Sequence, residues 1–342
     1  RKFNAVHELI EEVDPNGNAK KYEYDPYGNL QSVKDEEGRE SFMVWDDIGN
    51  LLSLTDNAEQ SWTYGYDDRG NLEQSRNPLG HVTDFRVNDA GQITQTMRHD
   101  GLIEFREYDA HKRLTLIRDF NSAETRFDYD AFNRVTAITD PNGNATRLSY
   151  EGGTDFHMPT RIIRPDGVET RRQMGATGRV QAITDGEGRQ TSYRYGPYNV
   201  LEEITDPKGG KLRFQYDSQE RLTCVTNQMG LHWVFERDLI GRVIRETDFD
   251  GRTLRYAYDD AGRVTRRDNP DGGRLEYDYD RSGLLLELRA FGPGVKKPLV
   301  TTYAYDDNAR LIAAQNADAE ITLERDALGR VIAEVMNGQR EL

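Results

Sequence analysis

Tyr22–Leu30 reads YEYDPYGNL, and this stretch decides the fold because it returns at a fixed interval. Its Asp25 is followed by Asp46, Asp67, Asn88, Asp109, Asp130 and Glu151, each 21 residues after the last. After an insertion the 21-residue register resumes at Gly175, Gly196, Asp217, Asp238, Asp259 and Asp280. Asp306 and Asp326 follow after steps of 26 and 20, and one step of 21 back from Asp25 lands on Asn4 in a degenerate copy. The chain of 342 residues is therefore sixteen copies of one small unit. Such a unit buries its apolar face only by stacking on its neighbours.

The clearest copies pair two aromatics, then a turn, then a short apolar strand. Tyr22 and Tyr24 precede Asp25 and Gly28, Tyr64 and Tyr66 precede Asp67 and Gly70, and Phe127 and Tyr129 precede Asp130. Phe214 and Tyr216 lead into Asp217, Tyr256 and Tyr258 into Asp259 and Gly262, Tyr277 and Tyr279 into Asp280 and Gly283, and Tyr303 and Tyr305 into Asp306. Asp46 with Gly49, Asp238 with Gly241 and Asp326 with Gly329 repeat the turn alone. Aromatics two apart share one face of an extended strand. In Asp-x-x-Gly the Asp accepts backbone bonds inside a four-residue turn and the Gly takes positive φ at no steric cost. Asn133 and Asn199 replace that Gly acceptably. Lys112, Thr154, Glu220 and Ala309 fit it poorly, which predicts looser turns or turns of another type there.

The second strand closes on another turn, as in Asp14–Gly17, Asp140–Gly143 and Asp206–Gly209. Its apolar residues are three apart (Leu30 and Val33, Val135 and Ile138), where strict alternation demands two or four. A bulge or strong local twist reconciles the two. Turn residues every eight to twelve positions, with Tyr, Thr, Val and Ile between them, favour β-hairpins over helix. The expected fold is all-β: tandem hairpins in a curled, spirally wound antiparallel sheet, with residues 1–342 one continuous array and no second domain. Irregular loops are expected near 151–160 and 290–300, the latter around Phe291-Gly-Pro-Gly294.

Composition narrows function. The net charge of -15 argues against a nucleic-acid groove, which needs clustered Lys and Arg. Arg134, Arg179, Arg242, Arg263 and Arg330 follow the turn Gly or its replacement, and pairing with the turn Asp is the simplest role for them. One cysteine, Cys224, leaves no internal disulfide, and its place in a second strand suits a packed thiol. No apolar stretch is long enough to span a membrane. No signal-peptide pattern opens the chain, and neither end shows a polar capping unit, so both read as cuts in a longer array.

Chemistry is sparse. The six histidines have no metal-ligand spacing, and no nucleophile elbow, phosphate loop or dinucleotide fingerprint occurs. Asp14-Pro-Asn-Gly-Asn18 and Asp140-Pro-Asn-Gly-Asn144 place oxygens at alternate positions, but lack the further carboxylates of a calcium loop and read as tight turns. No cofactor, metal or catalytic residue is expected.

The Tyr-Asp unit, with Gly-Arg-Leu-like residues after it and Asp-Pro-x-Gly closing it, resembles the YD or Rhs repeat. That family includes bacterial Rhs polymorphic toxins, the B and C components of insecticidal Tc complexes, and teneurins. The resemblance implies a β-strip wound into a hollow shell that encloses a C-terminal toxic domain. For the Rhs branch it implies interbacterial competition, delivery by a type VI secretion spike through further domains, and a cytoplasmic stage before secretion. The expected partners are the rest of the shell, the enclosed toxin and a spike protein, with neither nucleic acid nor a membrane span. The conserved protease plug of the Rhs core, a toxin domain and a spike-binding domain have no counterpart in these residues.

Simple geometry agrees. About 32 strands at ~4.8 Å make a strip roughly 150 Å long and ~20–25 Å wide. Closed into one ring, it is too low to enclose a folded domain, so a wall segment is expected. The alternative is a surface or secreted module that binds carbohydrate or a partner protein, with Trp45, Trp62 and Trp233 as stacking platforms.

Overall fold

The computed structural model describes residues 1–150 and 158–340. Among these residues it holds 33 β-strands, mostly five or six residues long, and one short 3-10 turn at Pro197–Asn199. The chain divides into two compact units. One comprises Arg1–Asp84, Arg237–Arg245 and the residues from Thr253 onward, and the other Phe85–Glu236 with Glu246–Arg252.

In the first unit the strands Leu9–Val13, Ala19–Tyr24, Leu30–Lys34, Glu40–Trp45 and Leu51–Thr55 pair in chain order, all antiparallel. The strands from Thr253–Tyr258 to Gln339–Arg340 do the same. In the second unit the ladder runs from Ile93–Met97 to His232–Arg237. Each strand meets its sequence neighbour, as hairpins require.

Both turns of the repeat have one construction. At Asp25 the Gly28 N–H donates to the Asp25 carbonyl (3.1 Å) and the Asp25 N–H to the Asn29 carbonyl (2.9 Å). The Asp25 carboxylate accepts from the Tyr27 and Asn29 amides, both at 2.9 Å. Gly28 sits at φ +89°. The closing turns at Asp14, Asp140 and Asp206 repeat the pattern, with Gly17, Gly143 and Gly209 each donating back to the turn's first carbonyl.

The expectation of looser turns at Lys112, Glu220 and Ala309 is wrong. These residues take φ of 64°, 61° and 62° and donate to Asp109, Asp217 and Asp306 at 2.9, 3.0 and 2.9 Å. The carboxylate bonds and the strand register on both sides fix the backbone, and together they exceed the ~1–2 kcal/mol that a left-handed residue costs. Thr154 lies outside the described residues, as does most of the irregular segment expected at 151–160.

The three-residue apolar spacing is indeed a bulge. Glu23 faces Ser32 and Tyr24 faces Leu30, so the register slips by one between them. The same slip recurs at Tyr66, Tyr129, Tyr216 and Tyr258. The insertion near 290–300 partly lengthens its hairpin: the flanking strands Leu285–Phe291 and Leu299–Tyr305 have seven residues each. Its tip closes with Val295 donating to the Gly292 carbonyl at 3.0 Å.

Within the first unit, turns far apart in sequence touch. The Asn16 amide donates to Asp259 (3.2 Å), the Arg281 backbone N–H to Glu37 (2.9 Å), Arg39 to Ser282 (3.2 Å) and Asn308 to Asp56 (2.7 Å). Three successive closing turns thereby meet three successive Tyr-Asp turns.

Candidate functional site: the repeat junction and the two faces of the sheet

The working geometry starts at the second aromatic of each pair. Its hydroxyl donates to a main-chain carbonyl fifteen residues back, at the first residue of the preceding second strand: Tyr24 to Leu9 (3.0 Å), Tyr66 to Leu51 (2.9 Å), Tyr129 to Leu114 (2.7 Å) and Tyr216 to Leu201 (2.7 Å). Tyr258 reaches Val243 and Tyr279 reaches Val264 in the same way, at 2.6 and 2.9 Å. Tyr305 bonds Leu285 at 3.0 Å across the longer insertion hairpin. That carbonyl belongs to the bulge, where the ladder leaves it to be satisfied by another donor. Where the second aromatic is not Tyr, another donor serves: Trp45 Nε1 bonds Leu30 at 2.7 Å and Arg325 bonds Leu311 at 2.9 Å. Desolvation pushes the phenols of Tyr66, Tyr129, Tyr216 and Tyr279 above their ordinary value.

The residue after the turn Gly completes the junction. In the early repeats it is Asn, and Asn29, Asn50 and Asn71 donate to Asp25, Asp46 and Asp67, each at 2.9 Å. In later repeats it is Arg. Arg263 Nε donates to Asp259 (2.6 Å), its guanidinium lies 5.0 Å from the Tyr279 ring centre, and Nη1 donates to the Asp280 carbonyl (2.9 Å). Arg242 and Arg113 repeat all three contacts, on Tyr258 and Tyr129. Arg134 and Arg330 pair with Asp130 and Asp326 as expected. Arg179 follows a turn that begins at Gly175, so its partner is a ring, with the guanidinium 5.7 Å from Tyr195. The Asn29 amide holds Asp25 below the usual carboxylate range, and the Arg221 backbone N–H does the same for Asp217. At Asp238 and Asp259 desolvation opposes the shift, but bonds from Arg242 and Arg263 still keep both carboxyls low.

The sheet has two unlike faces. Tyr22 and Tyr24 lie opposite Val33 and Leu30, while Glu23, between them, faces Ser32. Several of the most buried positions are on that second face, away from the aromatics. Ser32, Leu116, Ala182, Glu203 and Ala333 each stand opposite the residue between the paired positions. The signal of this column in the sequence is the Ser or Ala that often fills it, as at Ser32, Ala182 and Ala333. The aromatic pairs and all three tryptophans are half-buried. Trp233 stacks on Phe235 and meets Phe249 edge-on. Large apolar side chains are exposed at turn tips, as at Tyr27, Ile48, Phe132, Tyr198 and Ile240.

Asp14 and Asp140 spend their oxygens inside their own turns, on Asn18 and Asn144. Among the described residues no group of three or more His, Cys, Asp or Glu is set to hold a metal, and no helix is long and apolar enough to cross a membrane. Cys224 is half-buried, with its sulfur 3.7 Å from His232 Nδ1.

Repeated hairpins, a bulge that recurs from repeat to repeat and a junction bond mostly fifteen residues in span define a tandem β-hairpin repeat protein. The Teneurin YD-shell family model matches residues 1–119 and 166–296, and the RHS Repeat model matches residues 108–145 and 129–169. The chain belongs to the teneurin YD-shell family. Its fold matches a crystal structure of TcdB2-TccC3 without the hypervariable C-terminal region, with TM-score 0.75, 15% identity, and 99% of this chain but 23% of that one covered. It also matches the crystal structure of TcdB2-TccC3, with TM-score 0.74, 15% identity, and coverage of 99% of this chain and 24% of that one. A Photorhabdus luminescens Tc holotoxin pore gives TM-score 0.71 at 16% identity, covering 93% of this chain and 21% of the other. The chain spans less than a quarter of the length of these structures, and at such identities the likeness is one of fold. No curated protein matches the chain.

Proposed function

We propose that this chain is a wall segment of an Rhs-type shell that encloses a C-terminal toxic effector and carries it out of a bacterial cell. The observation that carries this reading is the match of 99% of the chain to the TcdB2-TccC3 fold, together with the match to a Tc holotoxin pore that contains TccC3. The residues support it in kind. Their bonds are spent largely on closing turns and joining repeat to repeat. On this reading the segment is structural and not catalytic, and residues 1–342 act as one array. Its partners are the remaining shell and the enclosed effector, with a secretion spike engaged through other domains of the natural protein. A carbohydrate-binding role rests on exposed, coplanar rings, and the half-buried tryptophans favour it less than the shell reading. Limited proteolysis of the natural full-length protein, read by mass spectrometry, tests the proposal. Effector peptides should stay protected until the shell is opened by denaturant. Cleavage of the effector at once, with the array intact, would refute enclosure.

A further inference from the structure

We propose that the face of the second unit turned away from the aromatics binds an acidic polypeptide segment. The chain as a whole carries a net charge of -15, yet this face displays guanidinium groups. Three carboxylates lie low on it, each gripped by bases. Glu124 accepts from Arg118 and Arg126, both at 2.6 Å. Glu169 accepts from Arg161 at 2.7 Å and also from Arg171. Glu203 accepts from Lys211 and Arg213, both at 2.9 Å, with Arg194 nearby, itself bonded to Glu202. The bases hold Glu169 and Glu203 ionised down to about 2.

Exposure separates the two signs. The side chains of Glu124, Glu169 and Glu203 are 30%, 25% and 11% exposed, whereas Arg126, Arg171 and Arg213 are 61%, 67% and 59% exposed. Within each cluster the carboxylate orients the guanidiniums and sinks beneath them, so the outermost charge of the cluster is positive. Arg126, Arg171 and Arg213 are mostly exposed, and each carries five N–H groups in a planar fork of which the bonds above use only part.

The groups are on one side of the ladder by register. Arg126 faces Leu116, Arg171 faces Arg161, and Arg213 faces Glu203. Arg147, exposed and opposite Ile163, continues the row. Glu107 and Asp128 also stand on this face and weaken it at its near end. From Leu114–Arg118 to Lys211–Tyr216 the row crosses nine strand spacings, about 45 Å. At its far end Arg194 and Arg213 share an open groove of about 580 Å³ with Glu202, Asp217 and Glu220, whose carboxylates weaken the row there as Glu107 and Asp128 do at its near end. An extended acidic peptide of about 14 residues matches that length. Nucleic acid is the less suitable polyanion, because the strand positions of the row carry no ring on which bases stack; the exposed Tyr198 stands in a turn at its end. If the shell reading holds, the segment belongs to the enclosed effector; the binding itself does not depend on that reading.

The test is fluorescence anisotropy of a labelled poly-glutamate peptide with the purified chain, at low and at physiological salt. Poly-lysine and a single-stranded oligonucleotide serve as competitors. Binding of poly-glutamate that weakens with salt is expected. The triple variant Arg126→Gln, Arg171→Gln, Arg213→Gln should weaken it at least about fivefold, from three exposed charge pairs. Arg189→Gln with Arg252→Gln, at turn edges, should leave it unchanged. If the triple variant melts early, Arg147→Gln alone, which leaves the three clusters intact, should still weaken binding about twofold. Absence of poly-glutamate binding at low salt, equal loss in the turn-edge variant, or tighter binding of the oligonucleotide overturns the proposal.

Discussion

The hydroxyl of Tyr66 donates to the carbonyl of Leu51, fifteen residues earlier and 2.9 Å away. Leu51 faces Trp45 across a bulge, and the pairing of its strand with the next begins only at Ser53, opposite Thr63. One side chain thus repairs the defect that the previous hairpin introduces, and the repair ties neighbouring repeats together.

Removing that donor has a defined cost. Tyr66→Phe keeps the ring and deletes one bond to a half-buried carbonyl, a loss of about 1 kcal/mol. Tyr64→Phe, at the first aromatic position, should cost less. Urea unfolding of the two variants at equal m-value measures the difference.

Arg263 predicts a stronger asymmetry. It bonds Asp259, covers Tyr279 and reaches the Asp280 carbonyl, whereas the guanidinium of the more exposed Arg189 bonds only the carboxylates of its own turn, Asp185 and Glu187. Lysine lacks the planar fork that serves three partners at once. Arg263→Lys should cost about 1–2 kcal/mol and Arg189→Lys under about 0.5 kcal/mol. Denaturant midpoints of the two single variants distinguish them.

The turn positions give opposite signs. Lys112 sits at φ 64°, so Lys112→Gly should stabilise by up to about 1 kcal/mol. Gly329 sits at φ 82°, and a Cβ there lies 2.0 Å from Arg310 Nη1. Gly329→Ala should therefore destabilise by at least about 1 kcal/mol, and thermal melts of both variants check the signs.

Acid and alkali should act through different groups. Glu169 and Glu203 fall from 4.5 to about 2 because of their Arg and Lys partners, so the unfolded chain takes up protons first. Their contribution is complete above pH 4.5 and is lost as pH falls towards about 2. The raised phenols of Tyr66 and Tyr279 work the other way: their contribution is complete below 10.0 and is lost as pH rises above it, when a phenolate can no longer donate. The melting temperature should hold level through the neutral range and decline on both sides. A decline beginning near pH 6 would contradict these assignments.

Much of this was legible in the residues. The 21-residue period, the Asp-x-x-Gly turns and the bulge implied by Leu30 and Val33 follow from local chemistry. The turns at Lys112, Glu220 and Ala309 were misread because propensity was weighed without the Asp carboxylate that closes each one. The fifteen-residue bond left a trace that went unused. Phe occurs at the first aromatic position, as in Phe127 and Phe214, while the second keeps a donor in Tyr24, Trp45, Tyr66 and Arg325. Contacts such as Asn16 with Asp259 span 243 residues and leave no local signature.

The most direct measurement is electron cryomicroscopy of the natural full-length protein. The account predicts polypeptide density inside a wall containing these repeats, against the face of Leu116, Ala182 and Glu203. Effector density outside an empty or open array would contradict it.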